Sequence, residues 1–220
     1  MSEDYTLYGD MASPPVRFVL VTATLLGTKL KFQNIDLFKS ENKTDWYRKI
    51  NPLQKVPALV VGDEVISDSH AVALYLCQRK ENQDLYPKDD ILLKARIDEM
   101  LFYNATTLFP VDSAIYTDLF AGKWPASDTN LANWYACLAY LEHRLSRLEW
   151  LSGDKMLLGD ICCAMTVSSL SIIVPIPDKY ERVQNWMQRL EKLPSFKINK
   201  EGLDRLHFYV KSIGPKSHDI

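Results

Sequence analysis

The run Asn51-Pro52-Leu53-Gln54-Lys55-Val56-Pro57-Ala58-Leu59, followed by Ser67-Asp68-Ser69-His70-Ala71-Val72, decides how this chain is read. It spells a strand entered through Val-Pro, a two-residue hairpin at Gly62-Asp63, and a polar Asp-Ser pair opening an apolar helix. Val56, just before a proline, is an unpaired strand edge to which an extended ligand can add its own backbone. Asp68 and Ser69 mark a helix N-terminus, where free N–H groups and the positive dipole end suit a carboxylate. Together these features describe a platform for a small anionic peptide.

Reading outward, the first eighty residues alternate strand and helix signals. Thr6-Leu7-Tyr8 reads as a short strand, and Ser13 before Pro14 as a helix start, since serine caps free N–H groups and proline fits the first turn. Apolar residues then fill 16–26, with Gly27 as the C-cap. Leu30 and Phe32 alternate with lysines as in a half-buried strand. A polar helix is expected over 40–49, strands over 56–61 and 64–67, and a helix over 68–79. This βαβ-then-αββα order predicts a mixed four-stranded sheet with helices on its faces, the thioredoxin-like arrangement.

A charged connector over 80–90 precedes an all-helical remainder. There Leu131, Trp134, Leu138, Leu141, Leu145 and Leu148 recur every three or four residues, the seam of an amphipathic helix. The helix before it contains Pro110, which deletes a hydrogen bond and so kinks or restarts it. Further helices are expected over 157–170 and 180–193. The domain division is therefore 1–80, a linker at 81–90, and 91–220.

With 220 residues, 47% hydrophobic and 25% charged, the chain can bury a real core, and a net charge of −2 gives no electrostatic reason to expect nucleic acid or an acidic membrane. The acidic opening residues 1–5 lack a secretion-signal pattern, and no lipidation signal occurs at 217–220, so the cytosol is the expected address. Cys77, Cys137, Cys162 and Cys163 fall in apolar helical patterns and read as buried thiols. The triplets Asn42-Lys43-Thr44 and Asn104-Ala105-Thr106 are chance glycosylation matches on this reading. Phosphate loops, dinucleotide fingerprints and Gly-x-Ser-x-Gly are absent, and His70, His143, His207 and His218 show no metal-ligand spacing.

Leu7-Tyr8 followed by Ser13-Pro14-Pro15-Val16-Arg17, the Val56-Pro57 entry, Asp68-Ser69 and the Leu85-Tyr86-Pro87 connector together resemble the glutathione transferases over nearly the whole chain. The Pro-Pro-Val-Arg run after Ser13 is similar to the insect delta and epsilon classes. Asp68-Ser69-His70-Ala71, with Asp112 in the kinked helix, resembles the noppera-bo branch of the epsilon class, which is associated with steroid binding and ecdysteroid biosynthesis. The resemblance implies an α/β plus all-α fold: a thioredoxin-like glutathione-binding domain, then a helical domain completing a site for a hydrophobic, steroid-like substrate. It also implies a cytoplasmic homodimer that uses glutathione as co-substrate, without a metal. A steroid carrier with vestigial catalysis and an interaction module on the same fold are the competing readings.

On residues alone Ser13 is a helix cap. The resemblance makes it the catalytic residue, its hydroxyl donating to the glutathione sulfur, which is the nucleophile. The resemblance implies a cis Pro57, with Val56 pairing to the cysteinyl part, and Asp68, Ser69 and His70 around the γ-glutamyl end. Asn42 and Gln54 fall to the glycyl end, with Lys55 a further glutathione contact; Gln54 stands where histidine is common and Asn42 where histidine or glutamine is, so an ionised partner is lost. Leu37, Phe38, Phe109, Ser113, Tyr116, Thr117, Phe120 and Phe208 are expected walls of the hydrophobic pocket. Asp112 is either a carboxylate favoured by the helix dipole after Pro110 or the pocket's hydrogen-bond acceptor for a ligand hydroxyl. Leu157, where the family has a Thr-x-x-Asp capping box, should cost the following helix about 1 kcal/mol unless something compensates.

Overall fold

The computed structural model describes residues 5–213; the readings made above for residues 1–4, for 217–220 and for His218 lie outside them. Strands β1 (Tyr5–Gly9), β2 (Lys31–Asn34), β3 (Ala58–Val61) and β4 (Glu64–Ile66) form one sheet in the order β2-β1-β3-β4. β2 is parallel to β1, and β3 and β4 are antiparallel neighbours. Helix α1 (Pro14–Leu25) makes the β1-to-β2 crossover, α2 (Asp45–Ile50) precedes β3, and α3 (Ser69–Arg79) follows β4. This is the expected thioredoxin-like order, with an all-helical part after it. α1 is followed by its C-cap Leu26, and Gly27 takes φ +64°, a left-handed conformation that glycine adopts without steric cost.

Several boundaries differ from expectation for local reasons. The helix expected over 40–49 begins only at Asp45, because 37–39 and 41–43 form two 3₁₀ turns broken at Ser40 (φ +57°). The strand expected from 56 begins at Ala58, since Pro57 offers no N–H to a ladder. Leu30 lies outside β2, and of that strand only Phe32 is partly buried, so it is less half-buried than its alternation suggests.

The helical part comprises α4 (Ile91–Tyr103), α5 (Phe109–Phe120), α6 (Asp128–Leu145), α7 (Leu158–Leu170), α8 (Glu181–Glu191) and α9 (Lys197–Ile213). Pro110 acts as expected: α4 and α5 are joined by a π-helical turn, Asn104–Leu108, just ahead of it. Such wide turns absorb a broken hydrogen-bond ladder and recur at functional sites. Trp134, Leu138, Leu141 and Leu145 are buried along one face of α6, whereas Leu148 falls beyond the helix end. α7 is buried along its whole length and packs against both α1 and α4, so it is the pillar between the sheet and the helices. Among the described residues no helix is long and apolar enough to cross a membrane. All four cysteines are free and buried, and burial pushes the Cys77 thiol up to about 12.

Leu157 is the N-cap of α7 and offers no side-chain acceptor, as expected, but Asp160 compensates. Its carboxylate accepts from the N–H of Leu157 (3.0 Å) and Leu151 (2.8 Å) and from the Trp186 indole (3.0 Å). One half of a capping box thereby survives, and the other half is replaced by a buried cross-link to α8.

Candidate active site

β1 delivers the chain to a tight loop, 10–13, that opens α1. Ser13 occupies the N-cap position with extended backbone angles, yet its side chain makes no capping hydrogen bond. This corrects the expectation that it caps. Pro14 and Pro15 carry no N–H, and the next N–H, of Val16, is taken by the Ser13 carbonyl (3.1 Å). The Ser13 hydroxyl is left without a capping bond, and the helix end offers an anion its dipole but no free N–H in its first three residues.

Arg17, fully buried, braces that loop from behind. It donates to the carbonyls of Met11 (3.0 Å), Ala12 (2.8 Å) and Met165 (3.4 Å), and to the Ser169 hydroxyl on α7. Asp10 holds the loop from the side, its carboxylate accepting from Ala12 N–H (2.9 Å), Leu37 N–H (3.0 Å) and the guanidinium of Arg205 on α9 (2.6 and 2.8 Å). Burial alone would raise the Asp10 pKa, but the Arg205 hydrogen bond and the two backbone donors hold it below the usual carboxylate value.

Ser13 lines two adjoining cavities. The first, about 440 Å³, is walled by Asn42, Gln54, Lys55, Val56 and Pro57 on one side and by Asp68, Ser69 and His70 on the other. The structure thus gathers every residue expected around the tripeptide. The Val56–Pro57 bond is cis. Asp68 is the N-cap of α3, accepting from the N–H of His70 (2.8 Å) and Ala71 (3.2 Å). Its hydrogen bond with His70 and those backbone donors, outweighing burial, bring its pKa down to about 2. Ser69 is buried at the first helical position, where an N–H has no partner within the helix.

His70 is wedged rather than displayed. Its ring lies 3.2 Å from Asp68 Oδ1 and 3.2 Å from Asn104 Oδ1, with Phe18 5.9 Å away. Asn104 sits in the π turn and donates to Thr166 of α7 (2.8 Å). Sequence reasoning passes over it except as a glycosylation match, and its burial excludes that use. Asn42 spends its amide on the Gln54 carbonyl (2.7 Å), and Gln54 takes φ +54°, so this pair shapes the loop at the cavity rim.

The second cavity, about 330 Å³, is lined by Leu37, Phe38, Phe109, Asp112, Ser113, Tyr116, Thr117 and Phe120, and shares Leu37, Phe109 and Ser113 with the first besides Ser13. Phe208 does not line it and is 78% exposed; the wall from α9 is Leu206 and Tyr209. Residues three and four apart share a helix face, so the face that carries Leu206 presents Tyr209 and turns Phe208 to solvent. Tyr209 stacks on Phe38 with centroids 3.5 Å apart, and Tyr116 donates to the Ser169 carbonyl (2.6 Å).

Asp112 lies in the first turn of α5, as the dipole argument expects, but it is also 4% exposed, and its Oδ1 has no hydrogen-bond partner. Burial pushes its pKa up to about 8, moderated by the charge of Arg17. An orphaned buried carboxyl at the wall of a mostly apolar cavity is costly until something donates to it. Among the described residues no group of three His, Cys, Asp or Glu side chains is placed to hold a metal ion.

A thioredoxin-like sheet, a helical second half, and a serine-headed helix beside a peptide-sized groove are the parts of one class of enzyme. Residues 7–84 match the family model described as glutathione S-transferase, N-terminal domain, and residues 104–194 match that of the C-terminal domain. The chain is 30% identical to mouse (Mus musculus) glutathione S-transferase theta-3, over 84% of this chain and 81% of that protein. It resembles a Drosophila mojavensis glutathione transferase homolog solved with bound glutathione, at 30% identity, TM-score 0.90, and 96% and 98% of the two chains. An epsilon-class glutathione S-transferase from housefly, Musca domestica, aligns at 29% identity, TM-score 0.89, and 95% and 98% coverage. The chain belongs to the glutathione S-transferase family. Within it, the chain sits among the insect enzymes, with epsilon-class structures as neighbours and glutathione as the co-substrate of the family.

Proposed function

We propose that this enzyme binds glutathione in the groove between Gln54–Pro57 and Asp68–His70, and a flat hydrophobic molecule bearing a hydroxyl, of steroid type, in the cavity over Asp112. In this reading Ser13 donates to the sulfur and, with the α1 dipole, favours the thiolate. The thiolate then attacks an electrophilic carbon of the second substrate, and the displaced group leaves with its bonding electrons. Val56 pairs with the cysteinyl backbone, the Ser69 hydroxyl and the N–H of Ser69 itself hold the γ-glutamyl carboxylate, Asp68 takes the ammonium end, and Asn42, Gln54 and Lys55 face the glycyl end. The steroid preference and the Asp68-Ser69-His70-Ala71 and Asp112 signature suit the noppera-bo branch and a role in ecdysteroid biosynthesis, in a cytoplasmic homodimer. Residues 1–80 would then form the glutathione domain, 81–90 the linker and 91–220 the helical domain.

One observation carries the ligand class: the carboxyl of Asp112, buried and without a partner on Oδ1, lines the mostly apolar cavity beside Ser13. A ligand hydroxyl would relieve it, and a ligand lacking one would leave it orphaned. A steroid carrying a terminal hydroxyl should bind the wild type about tenfold or more tightly than its deoxy analogue. Asp112→Ala should erase that ratio while leaving glutathione affinity unchanged, as measured by titration with each steroid and with glutathione. The ratio should also grow as pH rises through about 8, where Asp112 ionises and becomes the stronger acceptor. An unchanged ratio in Asp112→Ala would reduce the carboxyl to a partner of the helix dipole.

A further inference from the structure

The face of α9 that holds Gly202, Arg205, Leu206 and Tyr209 is pressed onto the reaction site by more than apolar packing. A side-chain carbon at Gly202 would stand 2.3 Å from the Met11 carbonyl and 2.4 Å from Arg17 Cδ, so only glycine permits this approach of helix to loop. Three residues on, Arg205 forks across two carboxylates: Nε and a terminal nitrogen reach Asp10 (2.6 and 2.8 Å), and the latter also lies 3.3 Å from Asp36. Asp10 is wholly buried and fixes the N–H groups of Ala12 and Leu37. Asp36 accepts from the N–H groups of Phe38 (3.0 Å) and Lys39 (3.2 Å). The guanidinium lies 5.1 Å over the Phe38 ring, Phe38 stacks on Tyr209, and Phe120 meets Tyr209 edge-on at 5.7 Å. One side chain thus ties the loop carrying Ser13 to the turn carrying Leu37 and Phe38, and both to the helix that closes the second cavity.

We infer that Arg205 is a positioning residue of the transferase reaction: through Asp10 and Asp36 it fixes the distance and angle between the hydroxyl that serves the sulfur and the aromatic wall that orients the electrophile. Arginine is required for its shape, because a planar fork can bind two carboxylates and stack on a ring at once, whereas an ammonium is a point charge. Small displacements of reacting groups have large kinetic consequences, up to about a hundredfold for roughly 1 Å. The inference rests on Ser13 and its two cavities being the reaction site, which Ser13→Ala tests separately.

The experiment is steady-state kinetics with glutathione and a chlorinated dinitroaromatic electrophile, with the thiolate ionisation followed against pH. Arg205 is only partly buried, so Arg205→Met is expected to fold. It should raise KM for the electrophile about five- to tenfold, leave KM for glutathione within about twofold, and move the thiolate ionisation to higher pH. Arg205→Lys should recover only part of the loss. Asp36→Asn, which spares the Asp10 contact, should give about a twofold to threefold effect on the electrophile alone. Asp10→Asn combined with Arg205→Met should be no worse than the worse single variant, because both act on one linkage. Equal losses for both substrates, losses that add independently, or full recovery by lysine would overturn the assignment. Should Arg205→Met not fold, Arg205→Lys and Asp36→Asn give the same split on their own, and no change in either would overturn it equally.

Discussion

Replacing Ser13 with alanine is expected to lower kcat/KM about 10- to 100-fold near neutral pH, the worth of one hydrogen bond to a charged acceptor. The expectation is this large because nothing nearby can substitute. Pro14 and Pro15 have no N–H, the N–H of Val16 is given to the Ser13 carbonyl, that of Ser13 itself to the Asp10 carbonyl (2.9 Å), and that of Ala12 to the Asp10 carboxylate. The α1 dipole survives the substitution, so some depression of the thiol pKa from its free value of about 8.5 should remain. A donor to the anion lowers the thiol pKa, so removing it raises that pKa. The ascending limb of the pH–rate profile should therefore shift to higher pH in Ser13→Ala, the deficit being greatest in acid and shrinking in alkali. A uniform loss at every pH, with the limb unmoved, would mean that Ser13 places the sulfur without stabilising its charge.

The legible part of this molecule is the part written in local pattern. Alternation, the Gly62-Asp63 hairpin, the Ser-Pro and Asp-Ser helix starts and the three-four spacing of α6 define the elements with errors of a few residues. The groove is legible too, because its walls come from a few contiguous motifs, and motif order carries them together. What escapes is long-range. Asp10 and Arg205 are 195 residues apart, and nothing in either segment announces the other. Asn104 looks like part of a sugar-acceptor triplet, while its work lies in bridging His70 to Thr166 across the π turn. Phe208 stands out ahead of Tyr209 because aromatic character is visible in a sequence, whereas the rotational phase of a helix is set by what it packs on. Ser13 shows the limit from the other side: the preference of serine for an N-cap is sound, but its neighbours have already removed the donors a cap would take.

Asp160→Ala should be strongly destabilising, by about 3–5 kcal/mol, or roughly 6–20 °C in the thermal midpoint of a chain this size. Three buried donors lose their acceptor at once: the N–H of Leu151, that of Leu157 and the Trp186 indole. Leu157 has no side-chain oxygen to offer, so the first turn of α7 would go uncapped as well. Asp160→Asn should be milder but still costly, because its amide nitrogen replaces one acceptor with a donor facing a donor. The pH dependence identifies the charge. Burial, opposed by those three hydrogen bonds, raises the Asp160 pKa to about 6, above the unfolded value near 4. The folded state therefore holds its proton longer, and this group's contribution is complete below about pH 4 and is lost as pH rises through about 6. An amide at this position does not titrate and would lack that slope. The gap between wild type and Asp160→Asn should therefore narrow as pH rises from about 4 to about 6 in denaturant titrations. Because α7 also carries Met165, Thr166 and Ser169, which hold Arg17, Asn104 and Tyr116, partial loosening of its start should appear first as weaker glutathione binding below the melting transition. Undiminished affinity in a variant already several degrees less stable would show that the pillar transmits no strain to the site.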